Sequence, residues 1–277
     1  MISNSFRLEP VTPAIGAYVH GVDLASDLSD EDIGRLRQAW MEHVVLFFRD
    51  QPLDCGRLQA LARRFGAPHI HPQGDIEGYP GILRIHVDGD SKTQPGRTWH
   101  SDVSCDELPP MGSILHLHQI PDTGGDTLFA NMYAAYEALS EPMQTFLDGL
   151  EALHASRPNV EGYYRMNAEQ LRDKSFPEAV HPVVCRHPET GRKALFVNEI
   201  FTQHIVGLEP AEGRSVLDFL YRHIASPKFH CRFSWQVNSV AMWDNRCCQH
   251  IAMWDYYPQT RSGHRATIIG ERPVAAA

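Results

Sequence analysis

Short segments of apolar/polar alternation, closed off by glycine, proline or polar turns, recur through the last two thirds of this chain. Leu83, Ile85 and Val87 alternate with Arg84, His86 and Asp88. Residues 113–119 place His116 and His118 on one face, Leu115 and Leu117 on the other. Phe229, Cys231, Phe233 and Trp235 alternate with His230, Arg232 and Ser234, and residues 239–243 and 265–269 add two further strands. A period of two sends successive side chains to opposite faces, the mark of a half-buried strand. Residues 183–187 and 193–197 flank Pro188-Glu189-Thr190-Gly191-Arg192, a hairpin turn. The expected fold is mainly β with helical insertions, a sandwich or jelly roll.

The insertions announce themselves by a different period. Residues 14–22 read as extended chain broken by glycines, after which Ser29 offers an N-cap with Asp30, Glu31 and Asp32 in the first turn. Ile33, Leu36, Trp40 and Val44 then recur at helical spacing, ahead of the apolar run Val44-Val45-Leu46-Phe47-Phe48, which suits a buried strand. Further helices are predicted over 57–65, stopped by Gly66, and near 140–150 and 209–224. No linker, repeat or low-complexity tract divides the 277 residues, so they are read as one domain, 1–277.

Composition narrows the partners. The chain is 43% hydrophobic, ample for a core, and its net charge of −9 argues against nucleic acid or an anionic membrane surface. No signal-peptide core and no membrane-length apolar run is present. The six cysteines are scattered without a C-x-x-C, so a reduced, cytoplasmic protein is expected. The unusual count is 16 histidines, an excess that hints at metal or proton chemistry without locating it.

Phosphate-loop, dinucleotide, nucleophile-elbow and H-E-x-x-H patterns are all absent. What remains is His-x-Asp. On a strand such a pair shares one face, and a distant second histidine completes a two-His, one-carboxylate set that leaves open positions on Fe(II). With this composition about one such tripeptide arises by chance. There are two, His86-Val87-Asp88 and His100-Ser101-Asp102, together with the variant His187-Pro188-Glu189 in the hairpin turn. Arg84 and the turn Gly89-Asp90-Ser91-Lys92 mark the first as a solvated face. The second follows Trp99 and precedes Pro109-Pro110 and a strand. By residue type alone, a zinc hydrolase or a non-catalytic jelly-roll binding protein stays open beside an iron oxygenase.

Several fixed spacings in order then resemble one family, the taurine dioxygenase (TauD/TfdA-like) group of Fe(II)/2-oxoglutarate-dependent oxygenases. They are Trp99-His100-Ser101-Asp102, Gly124-Gly125-Asp126-Thr127, Trp243-Asp244-Asn245-Arg246, and His250 with Arg261 eleven residues on. The resemblance runs from Gly16-Ala17 to Ile268-Ile269-Gly270, nearly the whole chain. It implies a double-stranded β-helix, a form of jelly roll, with His100, Asp102 and His250 as iron ligands. Arg261, helped by the Thr127 hydroxyl, would bind the distal carboxylate of 2-oxoglutarate, where a planar guanidinium offers the paired hydrogen bonds a lysine does not. The implied reaction consumes O2 and 2-oxoglutarate, releases succinate and CO2, and hydroxylates a substrate carbon. A carbon bearing a sulfonate would then collapse to an aldehyde and sulfite.

The same resemblance puts His71, Arg265 and Phe201 at the substrate, the first two as a cationic pair suited to a sulfonate, sulfate ester or carboxylate. It also implies a homo-oligomer, dimer or tetramer. The chain departs from the taurine-cleaving pattern at three places. Pro72-Gln73-Gly74 replaces Pro-x-Tyr after His71, Thr93-Gln94-Pro95-Gly96-Arg97-Thr98 lacks an Asn, and Ala155-Ser156-Arg157-Pro158-Asn159-Val160 lacks a Phe. A wider pocket follows, with taurine a poor substrate and a larger organic anion preferred; a taurine dioxygenase proper is the alternative.

Overall fold

The structure is a computed structural model and describes residues 6–71, 75–162 and 176–276. Strands β1 (Arg7–Pro10) and β2 (Ala17–His20) open the chain, followed by helix α1 (Asp30–His43). The Ser29 side chain accepts the amide N–H of Asp32 at 3.1 Å, the expected cap, and α1 buries Ile33, Leu36 and Trp40. Strand β3 (Val45–Phe48) is buried throughout. Helix α2 (Cys55–Arg63) starts two residues earlier than the sequence predicts, because Asp54 caps it by accepting from the amide of Arg57.

Strands β4 (Ile82–Val87), β5 (Gly112–Gln119) and β6 (Thr127–Asn131) follow, then α3 (Met132–Glu137) and α4 (Glu141–Leu147). Helix α3 is not foreseen from periodicity, being less than two turns long; Asn131 caps it from the end of β6. The rest comprises β7 (Glu151–Ala155), α5 (Arg157–Gly162), β8 (Glu178–Pro182), β9 (Val184–Arg186), β10 (Lys193–Leu195), β11 (Thr202–Ile205) and α6 (Pro210–Ile224). Then come β12 (His230–Phe233), β13 (Ser239–Asp244), β14 (Cys248–Ala252), β15 (Arg261–Ile268) and β16 (Val274–Ala275). The expected hairpin is β9 with β10, paired antiparallel.

Seven strands form the major sheet in the order β1-β2-β3-β13-β5-β15-β4, and β12-β6-β14 form a smaller one. Among the described residues only the β2–β3 pairing in the major sheet is parallel. The two sheets meet through aromatic side chains: Phe47 stacks on Phe233 at 4.1 Å between ring centroids, and Phe129 lies 5.7 Å from Trp243. This interdigitation of inner faces makes the jelly roll expected from the alternation.

The outer face of the major sheet carries a second core, in which Leu36, Trp40, Leu58 and Leu61 cover Leu46, Phe48, Ile114, Met242 and Ile268. Fully burying each such side chain contributes roughly 1.5–3 kcal/mol. At Gly112 a Cβ would lie 2.3 Å from the Trp40 indole, so the start of β5 must be glycine for α1 to seat on the sheet. Strands with both faces buried explain why β3 and β13 read as continuous apolar runs while β4, at the edge, alternates. Among the described residues no helix is long and apolar enough to cross a membrane.

Candidate active site

The two sheets leave one end of the inner space lined by polar groups from β5, β6, β14, β15 and the loop before β5. His100 and His250 form an isolated antiparallel bridge, each amide N–H donating to the other's carbonyl at 3.1 and 2.9 Å. Their rings lie 4.1 Å apart. Asp102 completes the group, and one candidate ligand atom from each of the three lies within 4.8 Å of the others, all in buried residues. His100-Ser101-Asp102 is not a regular strand as the spacing argument supposes. Only His100 is bridged, and the chain turns at once through Val103, whose φ is 44°. A β-branched residue in that region is strained, and the turn aims the carboxylate back at the two imidazoles.

The donors suit a divalent cation. His100 gives its Nδ1–H to the Thr98 carbonyl at 2.8 Å, which leaves Nε2 with a lone pair. His250 keeps Nδ1 buried without a hydrogen-bond partner. Burial holds both imidazoles below the ordinary histidine range, so each is a neutral donor. Burial pushes the Asp102 carboxyl up, but Arg265, the two imidazoles and the Ser113 hydroxyl outweigh it and hold it well below the usual carboxylate range.

Arg261, at the start of β15, is 3% exposed and makes no ion pair with a side chain among the described residues. Its Nε donates to the Gly125 carbonyl at 3.1 Å and its Nη2 to Thr127 Oγ1 at 3.3 Å. Thr127 Oγ1 also accepts the Trp235 indole N–H at 3.0 Å, so the hydroxyl keeps its own proton for an incoming acceptor. Burial pulls the guanidinium down to about 10, still a cation at neutral pH. A buried, unneutralised arginine flanked by a free hydroxyl proton is a receptor for a carboxylate.

The expected cationic pair of His71 and Arg265 is corrected. Burial and the neighbouring Arg265 charge lower His71 to about 4, so it is a neutral imidazole beside one guanidinium. Arg265 in turn is not aimed only at open space, since its Nη1 pairs with Asp102 Oδ1. Its Nε is buried and without a hydrogen-bond partner, which leaves a donor in hand. Phe201 is half-buried; its N–H donates to Asn198 Oδ1 at 3.0 Å and its carbonyl accepts from Ala155 at 2.8 Å. Pro72-Gln73-Gly74, one of the three departures, lies outside the described residues.

His86 and Asp88 bond to each other at 3.2 Å with both side chains about a third exposed, the solvated face expected of them. A grouping that sequence reasoning missed is His187, Asp244 and Cys247, all buried with candidate ligand atoms also within 4.8 Å. The sequence pattern places His187 at the hairpin turn and gives it no buried partner. His187 Nδ1 accepts the amides of Glu189 and Thr190, so Nε2–H donates to Asp244 Oδ2 at 3.1 Å. Arg246 grips both Asp244 oxygens, and burial raises the Cys247 thiol well above its ordinary range.

The family model for the taurine catabolism dioxygenase TauD, TfdA family matches residues 7–267. The chain belongs to this dioxygenase family. Over 275 residues it is 34% identical to an alpha-ketoglutarate-dependent sulfate ester dioxygenase of Pseudomonas putida, covering 96% of this chain and 90% of the relative. A solved taurine dioxygenase from Burkholderia xenovorans superposes with a TM-score of 0.85 at 35% identity, over 98% of this chain and 93% of that one. AAD-2, solved in complex with Mn(II) and N-oxalylglycine, gives a TM-score of 0.82 at 26% identity, over 97% and 99% of the two chains.

Proposed function

We propose that this chain is an Fe(II)- and 2-oxoglutarate-dependent dioxygenase that hydroxylates a small organic anion, with His100, Asp102 and His250 holding the metal. When bound, Fe(II) supplies with 2-oxoglutarate and O2 the oxidation that converts a substrate C–H into C–OH, releasing succinate and CO2. The observation that carries the reading is the buried, unneutralised Arg261 in the same enclosure as the His–Asp–His set. This receptor beside the metal set, in a chain of the dioxygenase family, favours the oxygenase over a zinc hydrolase or a passive binding protein.

The protein's own contribution is binding and orientation. Arg261 and the Thr127 hydroxyl hold the distal carboxylate of 2-oxoglutarate. Arg265, with its unused Nε donor, and neutral His71 as a hydrogen-bond donor hold the substrate anion, with Phe201 as a wall. One guanidinium in place of two cations fits a sulfonate, alkyl sulfate or carboxylate of single negative charge. The departures from the taurine-cleaving pattern widen the pocket and favour a larger anion over taurine. The six free cysteines, five of them buried, accord with a reduced cytoplasmic setting. A single catalytic domain assembling into a dimer or tetramer completes the reading.

Succinate formation across sulfonates, alkyl sulfates and aryloxy- and other carboxylates tests it. Turnover with a larger anion and little with taurine is expected. Efficient sulfite release from taurine, at a micromolar Michaelis constant, would overturn the substrate preference. Hydrolysis with zinc and no 2-oxoglutarate consumption would overturn the reaction class.

A further inference from the structure

Asp102 begins and ends a closed circuit of hydrogen bonds. Its amide N–H donates to Asn245 Oδ1 at 3.3 Å, Asn245 Nδ2 donates to Ser113 Oγ at 3.1 Å, and Ser113 Oγ donates to Asp102 Oδ2 at 2.7 Å. The Trp243 indole N–H is a second donor to Asn245 Oδ1, at 2.9 Å. All four residues are buried, Ser113 and Trp243 almost completely.

The directions of these bonds are forced. Indole and backbone N–H groups only donate, so the oxygen of the Asn245 amide must face them and its NH2 must face Ser113. A serine hydroxyl that accepts from the amide then has its single proton left for the carboxylate. Each Asp102 oxygen therefore carries one protein donor, Ser113 on Oδ2 and Arg265 on Oδ1, and the carboxylate plane is fixed from both sides.

We propose that Ser113 and Asn245 are positioning residues that fix the orientation of the Asp102 carboxylate toward the two imidazoles, with Trp243 fixing the orientation of the amide. Trp243 also packs 4.7 Å from the His250 ring, so one side chain steadies two members of the metal set. This rests on the proposal that Asp102 binds the metal.

Calorimetric titration of the full chain with Mn(II) tests it, using Ser113→Ala, Asn245→Asp and, as control, Ser239→Ala. Asn245→Asp keeps the volume and the acceptor for Trp243 but turns the donor facing Ser113 into an acceptor, which draws the hydroxyl proton off Asp102. Ser239 is an equally buried serine of β13, bonded to Arg49 at 2.7 Å and outside the circuit. Loss of an orienting partner of a ligand should weaken Mn(II) binding about 10–100-fold in the first two variants. Ser239→Ala should bind like the parent whatever its melting temperature, which a merely structural role for Ser113 would not produce. Parent-like affinity in Ser113→Ala, or equal weakening in Ser239→Ala, overturns the proposal. Should Ser113→Ala fail to fold, Asn245→Asp decides alone. A parent protein that takes up no Mn(II) is a different result, sinking the metal reading beneath it.

Discussion

Two buried groups of histidine, aspartate and a third donor sit in this molecule, and they are built to opposite ends. In the His187–Asp244–Cys247 group the imidazole and the carboxylate are partnered internally: backbone amides on one face of the imidazole, a carboxylate on the other, and a guanidinium across that carboxylate. In the His100–Asp102–His250 group the imidazoles keep nitrogen lone pairs that no protein donor satisfies. Both contain a buried histidine and aspartate, and in both the candidate ligand atoms are equally close. A cation site differs from a structural polar cluster by what the fold leaves unsatisfied, and only buried groups make that difference costly.

The sharpest way to break this contrast is to remove one carboxylate from each group. Asp102→Ala should lose Mn(II) binding by calorimetry and bring succinate formation to background, even at high 2-oxoglutarate. Asp244→Ala should instead strand buried Arg246 and His187 and cost about 3–5 kcal/mol in denaturant unfolding, while the metal content per chain stays that of the parent. A drop in metal stoichiometry in Asp244→Ala would show that the second group binds metal too. Next in size, Arg261→Lys retains the charge but not the fork. The apparent KM for 2-oxoglutarate should rise about tenfold or more while the Mn(II) affinity is kept. An unchanged KM would remove Arg261 from the carboxylate receptor.

The smallest effect concerns histidines of neither group. Burial lowers His116 to about 4 and His154 to about 3. Below pH 6.5 the unfolded chain takes up protons that the folded chain refuses, so stability is present above that pH and falls as pH drops toward 4. Each of the two should cost about 1.4 kcal/mol per pH unit in that window. Melting temperatures from pH 7 to 5 read it directly, and His154→Gln should flatten the slope. A slope unchanged by that substitution would refute the burial argument.

Much of this was legible in the chain itself, for reasons that differ by element. The edge strand β4 and the inward-outward β12 alternate because one face of each meets a less apolar environment, and α1 carries its cap and its stripe in consecutive residues. The metal set and Arg261 were within reach only through the family resemblance, carried by Trp99-His100-Ser101-Asp102 and by Arg261 eleven residues after His250. What could not be read depends on pairs brought together from far apart. Arg265 meets Asp102 across 163 positions, Ser113 meets Asn245 across 132, and His187 meets Asp244 across 57. Local pattern says nothing about such partners, so His71 and Arg265 read as two cations and His187 as a turn residue. Asn245 was visible within Trp243-Asp244-Asn245-Arg246, yet only the closed circuit gives it a task.

The reciprocal main-chain bonds between His100 and His250 have a practical side. A pair of imidazoles pinned by backbone does not need an ion to find its spacing, so the folded chain should release and reload metal without unfolding. Chelation and exchange for Mn(II), Co(II) or Ni(II) then become routes to spectroscopically distinct and oxygen-inert forms of one protein, and the surrounding loops can be redesigned for new anions while the grip on the ion stays put.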